Sequence, residues 1–394
     1  MPETTIRQIT GDEMLEVFYW LPAYAFGSSP PLSDKTEYQE KLKKRQGVTY
    51  LALFEDGNPM ACISSAALTQ QVRGSLFGMG GFYDVVTHPS ARRKGYSKRL
   101  LQQLMDIVRQ DGRPVSCLYP FRESFYERLG YVTFPQPRTA RFSPQALLPL
   151  LKVKLSGEVS LSSISEGYDE YRQYLHRLRS HVHGMAFFDE PDLTWAKRDR
   201  YWMAIARVDG EPVGLMLYDL KGERPAEFNL RAIRFCYHTS QGRYLLLEWL
   251  ARHTDQAKQV ELYLPPFELP ETWLADLKVV TEPLWVPGMG RVLDVSRLSG
   301  MQTAPGGFSA RLKDPLCPWN DGLWRFETCN GALQISPAKQ ADCDLAIQGL
   351  SALVYGTHNP ADFAIRGWGD PPLHVQDTMR SMFPPMLPYL YEYY

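Results

Sequence analysis

Arg92, Arg93, Lys94 and Gly95 stand together between an apolar stretch and a leucine-rich one. Residues of these types in this order suit the binding of an anion. The first turn of a helix carries N–H groups with no intrahelical partner and a partial positive charge. A glycine at its entrance permits unusual backbone angles and close approach of a ligand. Guanidinium and ammonium groups beside such a turn favour a phosphate. Basic residues before a surface helix are also common as a merely solvated face, so the flanking elements matter. Phe82 to Thr87 is aromatic and β-branched, which predicts a strand, and Pro89 ends it because proline lacks an N–H. From Tyr96 onward, Leu100, Leu101, Leu104, Ile107 and Val108 share one helical face, and Asp111-Gly112 closes the helix. Ser90 to Gly95 is therefore a loop that delivers the chain to a helix N-terminus.

Two further groups could carry chemistry. In "SFYERLG", Ser124 and Glu127 form a possible capping box and Gly130 a C-cap, which places Tyr126 in the first turn of a short helix. The positive end of that helix would favour phenolate and ease proton donation. A packed aromatic explains Tyr126 equally well. The final residues hold Tyr389, Tyr391, Tyr393 and Tyr394, too many aromatics to leave in water. Their period-2 spacing predicts an extended, docked segment, with Glu392 as a second negative charge beside the terminus. Phe18, Trp20, Tyr24, Phe26 and Asp34 would suit an amine-binding cleft, although core packing accounts for most of them.

Composition narrows the function class. The net charge of the 394-residue chain is -1, so no global field attracts nucleic acid or an anionic membrane. No apolar run approaches the roughly 20 residues that span a bilayer. The start of the chain is polar and has no secretory leader, and the six cysteines have no CxxC spacing, which together predict a cytoplasmic protein with buried, reduced thiols. His181 and His183 have no Cys or acidic residue at matching ligand spacing, so no metal is expected.

An internal echo organises the chain. "TYLALFEDGNPMACI" and "YWMAIARVDGEPVGLM" each place an Asp-Gly between apolar strands, a strong hairpin signal. The same offset carries Phe82 onto Phe235, and a leucine-rich helix follows each. Two tandem copies of one α/β domain are predicted, residues 1–148 and 149–284. In the second, "TSQGRYLL" replaces the basic loop. Residues 285–394 read as a smaller α+β domain, with Asn330-Gly331 as a hairpin turn.

The stretch "VVTHPSARRKGYSKRLL" resembles the acetyl-CoA motif R-x-x-G-x-[G/A] of the GNAT superfamily of N-acetyltransferases. Arg92, Gly95 and Ser97 occupy its three places, Ser97 departing from the usual glycine or alanine. "SFYERLGYVTF" resembles the next motif of that superfamily. The tandem copies, the small third domain and the aromatic terminus are similar to the enhanced intracellular survival (Eis) acetyltransferases. The resemblance implies a mixed α/β fold of two GNAT-like domains and a sterol-carrier-like C-terminal domain, a hexamer, and acetylation of amines such as aminoglycosides. It implies that Val85, Val86 and Thr87 hold the pantetheine arm of acetyl-CoA through their backbone. Arg93, Lys94, Gly95, Tyr96, Ser97 and Lys98 would hold the pyrophosphate, and Phe121 and Arg122 would line the cofactor near its thioester. Tyr126 would be the general acid and the α-carboxylate of Tyr394 the general base, raised by burial from its ordinary pKa of about 3.3–3.7 or acting through water. The competing reading is a non-catalytic acyl-CoA- or lipid-binding scaffold, which predicts binding without turnover. A lysine acetyltransferase is an alternative within the enzyme class.

Overall fold

Both Asp-Gly turns close two-residue hairpins in the computed structural model, which describes residues 2–43, 45–189, 200–224, 227–284 and 286–394. Asp56-Gly57, Asp209-Gly210 and Asn330-Gly331 all take positive φ at both positions, the geometry that matches the twist of the flanking strands.

The chain divides into two compact units, residues 1–134, 183–191 and 288–394 in one, and residues 135–182 and 192–287 in the other. In the first unit, β1 (Thr4–Gln8), β2 (Val48–Glu55), β3 (Asn58–Val72) and β4 (Ser75–Thr87) run antiparallel in that order. Three short helices, α1 (Asp12–Phe18), α2 (Leu21–Ala25) and α3 (Lys35–Lys43), connect β1 to β2. The helix α4 (Tyr96–Gln110) then crosses to β5 (Val115–Leu118), which pairs parallel to β4. Leu100, Leu101, Leu104, Met105 and Val108 of α4 are buried against Leu51, Leu53, Ala61 and Ile63, as the helical spacing requires.

The strand Met289–Val292 lies between β5 and β6 (Val132–Thr133). The sequence reading placed this stretch in the C-terminal domain. All four of its residues are buried, and a strand buried on both faces finds its place in a sheet interior. Arg138–Phe142, expected in the first copy, instead pairs in the second unit with Ala257–Leu264 and Val280–Pro283. There Arg141 reaches Glu261 and Glu282, both at 2.6 Å, opposite charges across neighbouring strands. Trp285, the expected start of the third region, lies outside the described residues.

The second unit repeats the plan. Its sheet holds Glu158–Ser163, Trp202–Val208, Glu211–Arg224, Glu227–Tyr237 and Ala257–Leu264, and the helix Ser240–Ala251 precedes the parallel pairing of the last two. The C-terminal portion of the first unit is a four-stranded sheet with the buried helix Ile347–Tyr355. The last residues form no strand. Backbone bonds from Met386 to Gly356 (3.0 Å) and from Tyr389 to His183 (2.9 Å) hold them down. Burial does not alternate as the period-2 spacing predicted. Leu390, Tyr391 and Glu392 are buried in succession, and Tyr393 is 54% exposed, because the carbonyls of Leu390 and Glu392 both accept from the Tyr119 hydroxyl. The six cysteines are unbridged, but Cys329 is exposed beside the Asn330-Gly331 turn rather than buried.

Candidate active site

The site begins where β4 and β5 part. Their parallel pairing spans only Met79 to Phe82 against Val115 to Leu118. Beyond it β4 remains paired with β3 on one side, through Val86 and Thr87. On its other side no described strand accompanies it past Phe82. A bulge at Asp84, with φ of 51°, bends β4 at this point. The open edge from Tyr83 to Thr87, which contains Val85 and Val86, offers peptide groups to an extended ligand.

A short helical turn, Pro89–Ala91, leads from β4 to α4. Gly95 stands at the N-cap of α4 in the left-handed region, with φ of 81°, and no side chain caps the helix. The first backbone bond runs from Arg99 to Gly95. The N–H groups of Tyr96, Ser97 and Lys98 therefore point out of the helix uncommitted to it. A Cβ on Gly95 would meet nothing within 4 Å, so the space before these N–H groups is open. Thr87 and Ser97 are joined by a 2.7 Å hydrogen bond between hydroxyls, which ties the end of the strand to the first turn of the helix.

The charges divide unequally. Lys94 pairs with Glu55 at 2.7 Å, and the Tyr96 hydroxyl donates to the same carboxylate. The two together hold Glu55 below the usual carboxylate range, Lys94 contributing most. Lys94 thus brings its backbone to the loop while its ammonium is engaged elsewhere. Arg92, Arg93 and Lys98 are exposed. With Thr87, Gly95 and Ser97 they line a cleft of about 430 Å³, whose other wall holds Phe125, Arg128, Arg291, Asp314 and Gln348.

Beyond this cleft, α5 (Glu123–Glu127) presents Tyr126. The predicted capping box is not formed. Arg122 occupies the N-cap, no side chain caps the helix, and Tyr126 is the fourth of five residues. Burial, not a helix end, sets the acidity of the phenol and pushes its pKa up. Phe121, Phe125 and Tyr131 surround the ring. Tyr131 commits its hydroxyl to Ser116 at 2.8 Å, whereas the Tyr126 hydroxyl has no hydrogen-bond partner among the described residues. Phe121 is 70% exposed and Arg122 is exposed as well.

Tyr394 lies against the residues where β4 and β5 still pair. Its ring meets Tyr83, Tyr119 and Phe188 at centroid distances of 6.3, 6.0 and 6.2 Å. A Cβ on Gly81 would stand 2.9 Å from that ring, so glycine is what lets the tail seat there. The hydroxyl of Tyr394 is buried without a partner among the described residues. Tyr126 packs in the cluster that contains Phe82 and Leu118, and Tyr394 in the one that contains Cys117.

The second unit offers an internal contrast. At the N-terminus of Ser240–Ala251, the Thr239 hydroxyl accepts from the Gly242 N–H at 3.0 Å. That helix start is closed by the chain itself, while the start of α4 is left open.

Residues 5–134 match the model of the acetyltransferase (GNAT) domain, and residues 306–391 match that of the sterol carrier protein domain. The first domain is a GNAT acetyltransferase domain. The chain is accordingly an acyltransferase by class, and an acyl-CoA is the co-substrate that this domain implies. Its fold, with two GNAT-like sheets and a sterol-carrier-like portion, is shared along the whole chain by solved structures of low identity. A GCN5-related N-acetyltransferase from Anabaena variabilis is 14% identical, with 100% of both chains covered and a TM-score of 0.84. One from Kribbella flavida is 20% identical, with 100% and 99% covered and a TM-score of 0.80. Eis1 from Mycobacterium abscessus is 16% identical, with 100% of both chains covered and a TM-score of 0.78. No curated protein matches the chain.

The acetyltransferase domain makes sense of residues that spacing could not reveal. Arg291 is fully buried, pairs with both oxygens of Asp314 at 2.6 and 2.7 Å, and donates to the Leu129 carbonyl just after α5. It thereby fixes the turn that carries Tyr126, although it lies far away in sequence. The only signal available was an arginine inside an apolar run. His183 uses both ring nitrogens structurally, one accepting from the Arg73 N–H and the other facing the Tyr355 carbonyl, and burial lowers its pKa to about 4. No described helix is long and apolar enough to cross a membrane.

Proposed function

We propose that this protein transfers an acetyl group from acetyl-CoA to a primary amine, on an aminoglycoside-, polyamine- or lysine-like acceptor. The observation that carries the reading is the uncapped start of α4 behind Gly95, opening on a cleft whose far wall includes Phe125, the neighbour of Tyr126 in α5. In this reading the N–H groups of Tyr96, Ser97 and Lys98 and the side chains of Arg93 and Lys98 hold the pyrophosphate, with Lys94 and Gly95 shaping the loop. The backbone of Val85, Val86 and Thr87 holds the amide arm along the open edge of β4, and Phe121 and Arg122 cover the arm near the thioester. Acetyl-CoA supplies the activated acyl group.

Tyr126 stays protonated at neutral pH because its pKa is raised, so it donates a hydrogen bond to the departing sulfur and stabilises the thiolate. The α-carboxylate of Tyr394 receives the amine proton, directly or through water. Holding both partners in place is worth roughly 7–11 kcal/mol in favourable cases. A cytoplasmic hexamer like that implied by the Eis resemblance belongs to the same proposal. The test is a panel of amines incubated with acetyl-CoA and scored by thiol release and product mass. Acetyl-CoA binding without turnover on any amine would reject this reading and leave a scaffold.

A further inference from the structure

Behind the open edge of β4 lies a group of side chains that the scheme above does not use. Asp84 sits on the bulge of β4. Around it stand Tyr38 of α3, Arg45 of the α3–β2 connection, Tyr50 of β2, Cys62 and Ser64 of β3, and Tyr83 of β4. The carboxylate accepts one long hydrogen bond, 3.5 Å from the Ser64 hydroxyl. Tyr38 sends its hydroxyl away to the Phe18 carbonyl. The Tyr50 hydroxyl is buried and has no hydrogen-bond partner among the described residues. Among the described residues the cation of the group is Arg45, an exposed residue whose guanidinium lies 5.8 Å from the centroid of the Tyr83 ring.

A carboxylate walled by phenol rings, with few of its lone pairs satisfied, is a site for a cation. Its place in the fold says which one. Tyr83 meets both the Tyr394 ring and Arg45, and it precedes the bulge from which the open edge of β4 runs. We propose that Asp84, with the rings of Tyr50 and Tyr83, forms the subsite that binds the ammonium of the acceptor, and that Arg45 occupies this place in the free protein. The inference rests on acetyl transfer to an amine and adds how that amine is recognised.

Burial raises the Asp84 pKa to about 6, with Arg45 and Ser64 opposing. The neighbouring phenols of Tyr38, Tyr50 and Tyr83 and the thiol of Cys62 are all pushed upward by burial, and Arg45 remains a cation. Asp84 is therefore the member of the group that changes charge near pH 6, and amine binding should weaken as pH falls through that value.

The experiment measures calorimetric binding of 1,5-diaminopentane, with 1,5-pentanediol as the neutral control, to the full chain. Asp84→Asn should weaken diamine binding roughly 10- to 100-fold, the loss expected for one charge-assisted hydrogen bond. Acetyl-CoA binding should be unchanged, which confirms folding. Arg45→Met should tighten diamine binding, since a competitor is removed. In the wild type, affinity should fall between pH 7 and pH 5. Undiminished diamine binding by Asp84→Asn, weaker binding by Arg45→Met, or a flat pH profile would each overturn the proposal. Binding that depends on Asp84 without thiol release would uphold the subsite and reject acetyl transfer, whereas thiol release indifferent to Asp84→Asn would do the reverse.

Discussion

Asp84 should make the folded protein less stable than it could be, and that cost can be measured. Its carboxyl titrates at about 6 in the fold against an ordinary value of 3.8. At about 1.36 kcal/mol per pH unit, the ionised group costs about 3 kcal/mol, reduced to roughly 2 by the solvent that reaches its outer edge. The sign follows from proton counting. Between pH 4 and 6 the native state binds more protons at this site than the unfolded chain, so stability falls as pH rises through that window. Above pH 6 the full penalty is present, and below pH 4 it vanishes. Asp84→Asn removes the charge at nearly constant shape. It should raise the melting temperature at pH 8 by roughly 4–8 °C, at about 2–4 °C per kcal/mol for a domain of ~150–250 residues. The difference should shrink through pH 6 and close near pH 4. Scanning fluorimetry of both proteins from pH 4 to 8 measures this. A difference independent of pH, or a wild type that melts higher at pH 8, would refute the assignment of Asp84 as a strained carboxylate. A carboxylate that weakens the fold is one with a task other than folding.

The remaining predictions concern the acetyl-transfer machinery. Tyr126→Phe should lower kcat about 10²- to 10⁴-fold with an unchanged melting temperature, because the hydroxyl has no partner to lose; Tyr131→Phe, which breaks the bond to Ser116, should cost about 1 kcal/mol of stability instead. Steady-state kinetics paired with melting curves separates the two. Glu55→Gln releases Lys94 and should tighten acetyl-CoA binding by a few-fold, an effect that shrinks in added salt; affinity unaltered at low salt would show that Lys94 faces elsewhere. Tyr394→Phe removes a buried unpaired hydroxyl and should leave turnover intact while stabilising the protein slightly. Adding two residues after Tyr394 should abolish turnover, and full activity in that variant would exclude the terminal carboxylate as base.

Much of this was legible in the residues. Gly95, the basic loop, the strand before it and the amphipathic helix after it follow from local rules, because each depends on neighbours in sequence. The Asp-Gly and Asn-Gly turns follow for the same reason. The motif around Tyr126 is legible in the sequence, but the acidity of its phenol is not, because it follows from burial and not from the helix end. A five-residue helix has little dipole to lend its fourth residue, and burial dominates. Lys94 reads as free charge in the sequence because nothing there announces that Glu55, at the end of β2, lies beside it.

Local chemistry therefore follows from the order of the residues alone: a phosphate-suited helix start in the first copy, its absence from the second, and a tail too aromatic to stay in water. How these pieces meet depends on the folded chain. It placed Met289–Val292 inside the first sheet, set Arg291 against the turn that follows α5, and seated Tyr394 on Gly81. It also surrounded Asp84 with phenols and left α4 uncapped while Thr239 closed the equivalent helix. Helix, turn and cap preferences act over a few residues and can be read along the chain. Burial and charge pairing depend on which distant residues exclude water from one another, and that is settled only when the sheets close.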